Sequence, residues 1–487
     1  TLGDFTVRPT VRAFMEREEY EYTGAWVTGL GVGGVRDLDA GMSKNVSSSW
    51  REVRATGYLG QVGLDWRGKY ILDALGRRDG SSLFGQDARW NNYYRVAGSY
   101  RMAEEPWWPF ESINEFKLRY AIGTAGGRPN YADRYEVWTF DVDAEGNTSV
   151  AKGNLGNRSL RPELTTEQDM GVDIIFNRKY SLQLSYIKQR TEDLLISVPL
   201  AAVAGYENQI QNTGVQSGTT WEATLQAQLV NTPDLSWSMD FVADRSRVEI
   251  DEWNRSCYIR NDIQFVCEGS SLGDMWGESY YRSMKDLPDH LPRDQFQVND
   301  DGYVVWVGEG NSYTDGVSKD LWGTASFTDD AGNLYQWGIP FLVRDSLGVP
   351  VRSVIGQSLP DLSFGWLNNF RWRDFTAHIH FEGQIGGNIY SESQQRMYQW
   401  LRHKDLDQSG KEEGLKKPLP YYRKIYNSVI STAPFVQDAQ HLRLRTVQLT
   451  YTVGPGLLGR LGLSSGDGGI SQINLGLIGR NLLTWTN

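Results

Sequence analysis

The segment 405–410, with the sequence DLDQSG, carries oxygen-bearing side chains at alternate positions. Asp405, Asp407 and Ser409 occupy positions one, three and five, and a glycine stands at position six, as in loops that bind Ca²⁺. Position twelve is Lys416, where such loops need a bidentate glutamate. A turn held by the aspartate side chains explains the same residues and is favoured. We therefore expect no resident cofactor. The one alternative is a Ca²⁺ ion bound by Asp405, Asp407 and Ser409.

Two further patterns suggest ligand sites, and each has a simpler interpretation. His378, His380 and Glu382 alternate along a predicted strand, so their side chains share one face and are placed to bind a metal together. A polar wall of a water-filled channel is the favoured reading of these three residues. The segment 29–34 fits G-x-G-x-x-G, but neither the preceding strand nor the following helix of a dinucleotide site is visible. We interpret it as a flexible turn.

No pattern indicates a catalytic centre. The chain has 5 histidines, no G-x-S-x-G motif, and 60 acidic residues that do not single out a carboxylate pair. We expect no catalytic residue and no enzymatic activity, and an enzyme built on a membrane barrel is the alternative. Cys257 and Cys267 lie close together in a polar stretch. A small loop disulfide is favoured over two unrelated thiols, because such pairs persist in oxidising compartments.

The elements that carry these residues are predicted from alternation with a period of two, which is typical of half-buried strands. Clear runs lie at 5–13, 58–67, 94–101, 180–186, 221–229, 235–241, 375–382 and 473–477. With weaker runs included, we count about 13 strands, several near the roughly 9–11 residues that cross a bilayer at a tilt. Many runs begin or end with aromatic residues, as interfacial girdles do: Trp50, Trp66, Trp237, Trp366 and Trp372.

Composition narrows the class of protein. The formal net charge of −11 argues against nucleic acid as a partner. No stretch approaches the roughly 18 consecutive apolar residues of a membrane-spanning helix. Alternation alone fits both a soluble sandwich and a wide membrane barrel, and the strand lengths and aromatic ends favour the barrel.

Connections are unequal in length. The turn 177–179 is tight, whereas the segments 16–48, 124–164, 245–358 and 387–437 are predicted to be long loops. The segment 245–358 is rich in aromatic residues and is too long to be structureless, so we expect it to fold on itself or to cap a pore. A short helix is predicted near Gln394–Leu401. A change of phase near Arg445 and Thr446 predicts a β-bulge.

Short strings along the chain resemble the SusC/RagA family of TonB-dependent outer-membrane transporters. They follow that family's order and spacing over almost the whole chain: KYIL (69–72), RRDGSSLFG (77–85) before Arg89-Trp90, INEFKLRY (113–120) before GTAG (123–126), LRPE (160–163) before GVD (171–173), Tyr186 with TEDLL (191–195), NTG (212–214) before Trp221-Glu222, HLRLRTV (441–447) and GRNLL (479–483). The chain departs from the family at Gly126-Gly127, where members often carry Gly-Asn, and the segment 250–355 is unfamiliar.

The resemblance implies an all-β fold, a transmembrane antiparallel β-barrel with long extracellular loops. Residues 1–487 would form a partial barrel domain, the later half or so of a roughly 22-stranded barrel without its plug, N-terminal regions and final strand. It implies a protein of the bacterial outer membrane that imports oligosaccharides or peptides. The implied partners are a SusD-like surface lipoprotein, the TonB complex acting through an N-terminal region absent from 1–487, and outer-membrane lipid.

Other functions fit the same pattern. A passive porin or a barrel-based adhesin is the alternative, and a soluble secreted β protein that binds glycans is a third. The polar strand faces and the loop aromatics are the candidate substrate surface. Loop aromatics that only pack the loops together are the competing reading.

Overall fold

The computed structural model describes residues 3–31, 33–35, 37–85, 88–136, 138–142, 148–260, 263–314, 321–427, 429–463 and 470–486. The chain divides into two compact units, Thr1–Thr220 with Asp251–Asn254, and Trp221–Ile250 with Arg255–Asn487. Within the described ranges, no helix has the length and apolar content needed to cross a lipid bilayer. The expectation of one barrel domain over 1–487 stays a prediction.

The first unit is built on long antiparallel strands. In chain order they are β1 (Phe5–Leu30), β2 (Gly41–Trp66), β3 (Tyr70–Ser81), β4 (Trp90–Arg101), β5 (Ile113–Gly127), β6 (Trp138–Val142), β7 (Thr148–Lys152), β8 (Glu163–Phe176), β9 (Tyr180–Glu192), β10 (Leu195–Pro199), β11 (Asn208–Asn212) and the start of β12 (Val215–Asn231). Strands β1, β2, β3, β4, β5, β8 and β9 pair in that order, while β6–β7 and β10–β11 are separate hairpins. Short 3₁₀ helices lie at Leu38–Ala40, Met102–Glu104, Tyr131–Arg134 and Ala202–Ala204.

The second unit holds the rest of β12 and most of β13 (Leu235–Glu252). The following strands are β14 (Tyr258–Arg260), β15 (Gln264–Val266), β16 (Asp274–Glu278), β17 (Phe296–Val298), β18 (Val304–Trp306), β19 (Ser326–Thr328), β20 (Leu334–Gln336), β21 (Arg352–Gln357), β22 (Leu362–Trp372), β23 (Phe375–Ile385), β24 (Asn388–Tyr390), β25 (Val436–Asp438), β26 (His441–Val453) and β27 (Ile473–Thr486). The α-helices are α1 (Glu392–Gln399), α2 (Leu419–Lys424) and α3 (Pro455–Arg460), and 3₁₀ helices lie at Arg293–Gln295, Lys404–Leu406, Glu413–Leu415 and Ala433–Phe435. Strands β13, β22, β23, β26 and β27 pair in that order, and β14, β15, β16 and β21 form a small sheet.

The alternation read from the sequence is confirmed by the long strands. Among the described residues these number thirteen, namely β1–β5, β8, β9, β12, β13, β22, β23, β26 and β27. The strands β22 and β23 have 11 residues each, a length that crosses a bilayer at a tilt.

The long strands expose their apolar face and pair the groups on their polar face. On β3, the side chain of Leu72 is 44% exposed. Its neighbour Asp73 points to the opposite face, accepts a hydrogen bond from Gln61 Nε2 at 2.6 Å, and forms an ion pair with Arg95. A water-soluble sheet buries its apolar face instead, so this pattern fits a sheet whose apolar face meets lipid.

The predicted bulge is confirmed in β26. Phe381 of β23 pairs with Leu444 and His380 pairs with Thr446, so Arg445 has no partner across this ladder. The register against β27 shifts at the same place. One extra residue therefore restores the apolar residues of β26 to a single face.

The two predicted local elements are also confirmed. The turn 177–179 is tight, with the backbone N–H of Lys179 donating to the carbonyl oxygen of Phe176 at 3.1 Å. The helix α1 spans Glu392–Gln399, two residues earlier at each end than predicted. Ser391 begins it, because its hydroxyl accepts from the backbone N–H of Gln394.

The prediction of a long loop at 16–48 is wrong. Residues up to Leu30 belong to β1, and β2 resumes at Gly41 and pairs with it. Neither face of this ribbon is buried, so its sequence is rich in Glu, Tyr and Ser and shows no apolar alternation from which a strand could be predicted. Cross-strand ion pairs such as Arg17–Glu52, at 3.0 Å, link the two strands instead.

The glycine-rich segment 29–34 lies at the end of this ribbon. A strand does precede it, contrary to the expectation, but the partner strand β2 follows rather than an α-helix. Gly29 and Gly34 have φ values of +70° and +87°, which suit glycine. The interpretation as a turn is therefore confirmed for its described residues.

The segment 245–358 folds on itself, as expected. It begins within β13 and contains β14 to β21. The hairpin of β14 and β15 is closed by a disulfide between Cys257 and Cys267, whose Cα atoms lie 4.8 Å apart. The favoured pairing of the two cysteines is confirmed.

Candidate functional site

Two loop segments of the second unit, 280–343 and 390–435, share one hydrophobic core, and we call this region the loop lobe. The core consists mainly of aromatic side chains: Tyr280, Tyr281, Phe296, Tyr303, Trp306, Tyr313, Tyr335, Trp337, Phe341, Tyr398, Tyr421, Tyr422 and Phe435. Trp337 is fully buried, with Tyr313 stacked 5.7 Å away and Trp322 edge-on at 5.1 Å. Most loop aromatics that the sequence offered as substrate contacts therefore pack the lobe.

A buried lysine joins the two segments of the lobe. Lys417 is 5% exposed in its side chain, and its Nζ lies 2.6 Å from Asp300 Oδ2 and 2.9 Å from Asp301 Oδ2. The Tyr421 hydroxyl donates to the same Asp301 oxygen at 2.6 Å and accepts from Asn299 Nδ2 at 3.0 Å. Burial lowers the pKa of Lys417, but the hydrogen bonds with both carboxylates outweigh it and raise the pKa above its usual value.

The calcium candidates Asp405, Asp407 and Ser409 lie at the edge of the lobe. The Asp405 carboxylate accepts from the Tyr398 hydroxyl and lies 3.3 Å from His403 Nδ1. Asp407 Oδ1 accepts from the backbone N–H of Ser409 at 2.9 Å, and hydrogen bonds from Ser409 lower the pKa of Asp407.

The carboxylates of this loop thus serve local hydrogen bonds. The described residues contain no group of three or more His, Cys, Asp or Glu side chains placed to hold a metal. The geometry fits the turn that the sequence favoured, and the Ca²⁺ site stays a prediction.

A pocket of about 530 Å³ opens between the two segments of the lobe. Its polar lining includes Asp300, Asp301, Asp405, Lys411, Lys417 and Gln394, and its aromatic lining includes Tyr303, Tyr398, Tyr422 and Phe435. The volume lies within the range of small-molecule sites, and apolar walls with a few convergent polar groups are typical of them.

Sequence reasoning singled out Asp405 among these residues but did not bring it together with the others. The other lining residues were missed, because they come from positions about a hundred residues apart with no common period. The available signal was modest: adjacent carboxylates at Asp300-Asp301 and adjacent lysines at Lys416-Lys417 in aromatic-rich loops.

His378, His380 and Glu382 lie on β23, as predicted. His378 Nδ1 is 2.6 Å from Asn369 Oδ1 on the neighbouring strand. Glu382 Oε1 is 2.9 Å from Arg443 and 3.4 Å from Arg445. Because two arginines engage Glu382, the three residues fit a polar wall better than a metal site.

Comparison with known proteins identifies the fold. Residues 10–373, more than half of the chain, match the family model described as TonB dependent receptor-like, beta-barrel. The chain belongs to this family. It has the antiparallel β-barrel fold of TonB-dependent receptors, which are outer-membrane proteins and not enzymes, and it is similar to SusC/RagA-type members. The expectations of fold class, location and lack of enzymatic function are confirmed, and the soluble secreted alternative is wrong.

Curated relatives are TonB-dependent receptors. The chain is 24% identical over 460 residues to TonB-dependent receptor P26 of Formosa agariphila, covering 91% of this chain and 43% of that protein. It is 26% identical over 195 residues to TonB-dependent receptor SusC of Bacteroides thetaiotaomicron, covering 38% of this chain and 19% of that protein. The chain thus spans less than half the length of the curated relatives that it matches.

A solved structure has the same fold. The RagAB peptide importer in its closed-closed state matches with a TM-score of 0.70 at 18% identity, covering 98% of this chain and 50% of that one. At this identity the likeness shows the fold alone.

Proposed function

We propose that the protein containing this barrel portion imports oligosaccharides or peptides across the outer membrane by TonB-dependent transport. The observation that carries the proposal is the match to the TonB-dependent receptor barrel over residues 10–373. One relative is named SusC, and one solved neighbour is described as a peptide importer.

The strand faces support a transport role for the barrel. Charged and amide side chains follow one face of successive strands, for example Arg119 on β5, which donates to Asp173 of β8 at 2.9 Å. Lys117 also reaches Asp173, at 3.2 Å. A polar face opposite an apolar, exposed face suits a wall between lipid and an aqueous channel.

The proposal includes two partners. A SusD-like surface lipoprotein would capture substrate outside the cell, and the TonB complex would act through a region N-terminal to the barrel portion. The family match and the names of the relatives support both partners.

Uptake assays test the proposal in the bacterium that encodes the chain. Cells lacking the gene are expected to lose uptake of fluorescent oligosaccharides or peptides, and cells lacking TonB are expected to lose the same uptake. Uptake that needs the gene but not TonB would support a passive porin instead. Uptake that needs neither would contradict both.

A further inference from the structure

The pocket of the loop lobe contains two carboxylate oxygens that accept no hydrogen bond from the described residues. In the described part of the chain, no protein group donates to Oδ1 of Asp301 or to Oδ1 of Asp405, whereas their Oδ2 atoms are engaged. These two side chains are 41% and 42% exposed, so a ligand can reach them.

The two ammonium groups that line the pocket are already engaged by protein oxygens. Lys417 Nζ contacts Asp300 and Asp301, and Lys411 Nζ donates to the carbonyl oxygen of Asp405 at 3.0 Å. The Tyr398 hydroxyl donates to Asp405, within the same lining. Three carboxylates face two ammonium groups, which leaves one excess negative charge.

The lobe already binds cationic groups with these residue types. Lys417 Nζ sits between two carboxylates, 5.3 Å from the centre of the Tyr421 ring. The Arg282 guanidinium lies 4.0 Å from the centre of the Tyr303 ring. Carboxylates and aromatic rings together form a favourable environment for an ammonium group.

We propose that this pocket binds peptides through a primary ammonium group, which donates to the free oxygens of Asp301 and Asp405. An ammonium has three donors and no acceptor, and therefore complements a lining whose acceptors are free. A sugar hydroxyl both donates and accepts and uses such a lining less fully. The inference rests on the proposed function, because it selects peptides from the two substrate classes named there.

Calorimetric titration of the detergent-purified, full-length protein tests the proposal. The probes are the tripeptide lysyl-alanyl-alanine, its diacetylated form, in which both amino groups are blocked, and maltotriose. The free tripeptide is expected to bind, and acetylation is expected to weaken binding roughly ten- to hundredfold, because charge-assisted hydrogen bonds are lost. Equal affinity for both forms, no binding of the free form, or tighter binding of maltotriose would overturn the proposal.

Variants locate the binding in the pocket. Asp405→Asn is expected to raise the Kd of the free tripeptide about tenfold. Asp330→Asn, a matched change at an exposed position of the same lobe, is expected to leave the Kd unchanged. Leu415→Trp fills the pocket without altering its charge and is expected to weaken binding about tenfold. This second variant still tests the location of binding if Asp405→Asn proves to be misfolded. Unchanged affinity in both pocket variants would contradict the assignment.

The binding and uptake experiments distinguish failure of the pocket inference from failure of the proposed function. If peptide binding at the pocket is absent while TonB-dependent uptake continues, the inference fails and the proposed function stands. If the pocket binds peptide but TonB-dependent uptake is absent, the proposed function fails.

Discussion

The long strands and the loop lobe of the second unit use large apolar side chains in opposite ways. On the strands, Trp372 is 57% exposed and Leu477 is 73% exposed. In the lobe, Trp337 and Tyr421 are fully buried. The difference shows that one chain is adapted to two solvents, because the strands leave their apolar face to lipid while the lobe must build its own core in water.

Trp337→Ala should give the largest effect and tests the lobe side of the comparison. Removing this fully buried indole is expected to destabilise the lobe by about 3–5 kcal/mol. Limited proteolysis of the purified protein should then cleave within 280–343 and 390–435. Trp372→Ala on the exposed strand face is the matched control and should leave the cleavage pattern unchanged. Equal effects of the two variants would show that the buried and the exposed tryptophan do not differ in their contribution to stability.

Leu449→Arg tests the strand side. Leu449 is 49% exposed on the apolar face of β26, so an arginine there should cost up to about 4 kcal/mol in the membrane. Less folded barrel is expected in outer-membrane fractions, measured by heat-modifiable mobility on gels. Gln448→Arg, one residue away and on the opposite face, should be tolerated. If Gln448→Arg is the more damaging change, the two faces have been assigned the wrong way round.

Lys417→Met tests how far the lobe depends on its buried charge. The change leaves Asp300 and Asp301 without their shared cation and is expected to cost about 1–3 kcal/mol. Tryptophan fluorescence during urea unfolding measures the shift of the lobe transition. The adjacent Lys416→Met removes an exposed pair with Glu413 and should cost less than about 1 kcal/mol. No difference between the two variants would show that the buried network is dispensable.

Asp329 should make a smaller, pH-dependent contribution to the lobe. Burial raises the pKa of this carboxyl, but hydrogen bonds from Asn333, Tyr335 and Ala331 outweigh it, so the folded pKa lies below the ordinary value. A carboxylate with a depressed pKa stabilises the fold above its unfolded pKa of about 3.9, and this stability is lost as the pH falls through the folded value.

Fluorescence-detected unfolding between pH 6 and pH 2 measures that contribution. The wild-type lobe is expected to lose about 1 kcal/mol of stability at the acidic end because of this group. Asp329→Asn should flatten the decline, whereas the exposed neighbour Asp330→Asn should not. An identical loss of stability with falling pH in all three proteins would show that Asp329 does not contribute to the pH dependence.

The sequence predicted strands wherever one face is apolar and the other polar, because a period of two is a local signal. It also predicted the bulge near Arg445 and Thr446, since a bulge shifts that period. It failed at 16–48, where neither face is buried and the cross-strand pairs are ionic. A polar, aromatic run of this kind has no period that separates a strand from a loop.

The pocket was beyond sequence reasoning for a different reason. Asp300, Asp405 and Lys417 meet only because two distant loops share one core, and irregularly spaced aromatics do not reveal which loops pack together. Asp405 was singled out by its spacing to Asp407, which reflects a local turn. The groups that line the pocket are set by tertiary packing.

The ribbon of β1 and β2 has a practical consequence. Among the described residues, strand β3 pairs with β2 only from Ala55 onwards, so residues 41–53 have β1 as their only ladder partner there, over about 40 Å. A two-stranded ribbon of this kind can be lengthened at its tip without disturbing other ladders. An epitope tag inserted between Gly33 and Gly34, probed with antibody on intact cells, would therefore report the orientation of the molecule in its membrane.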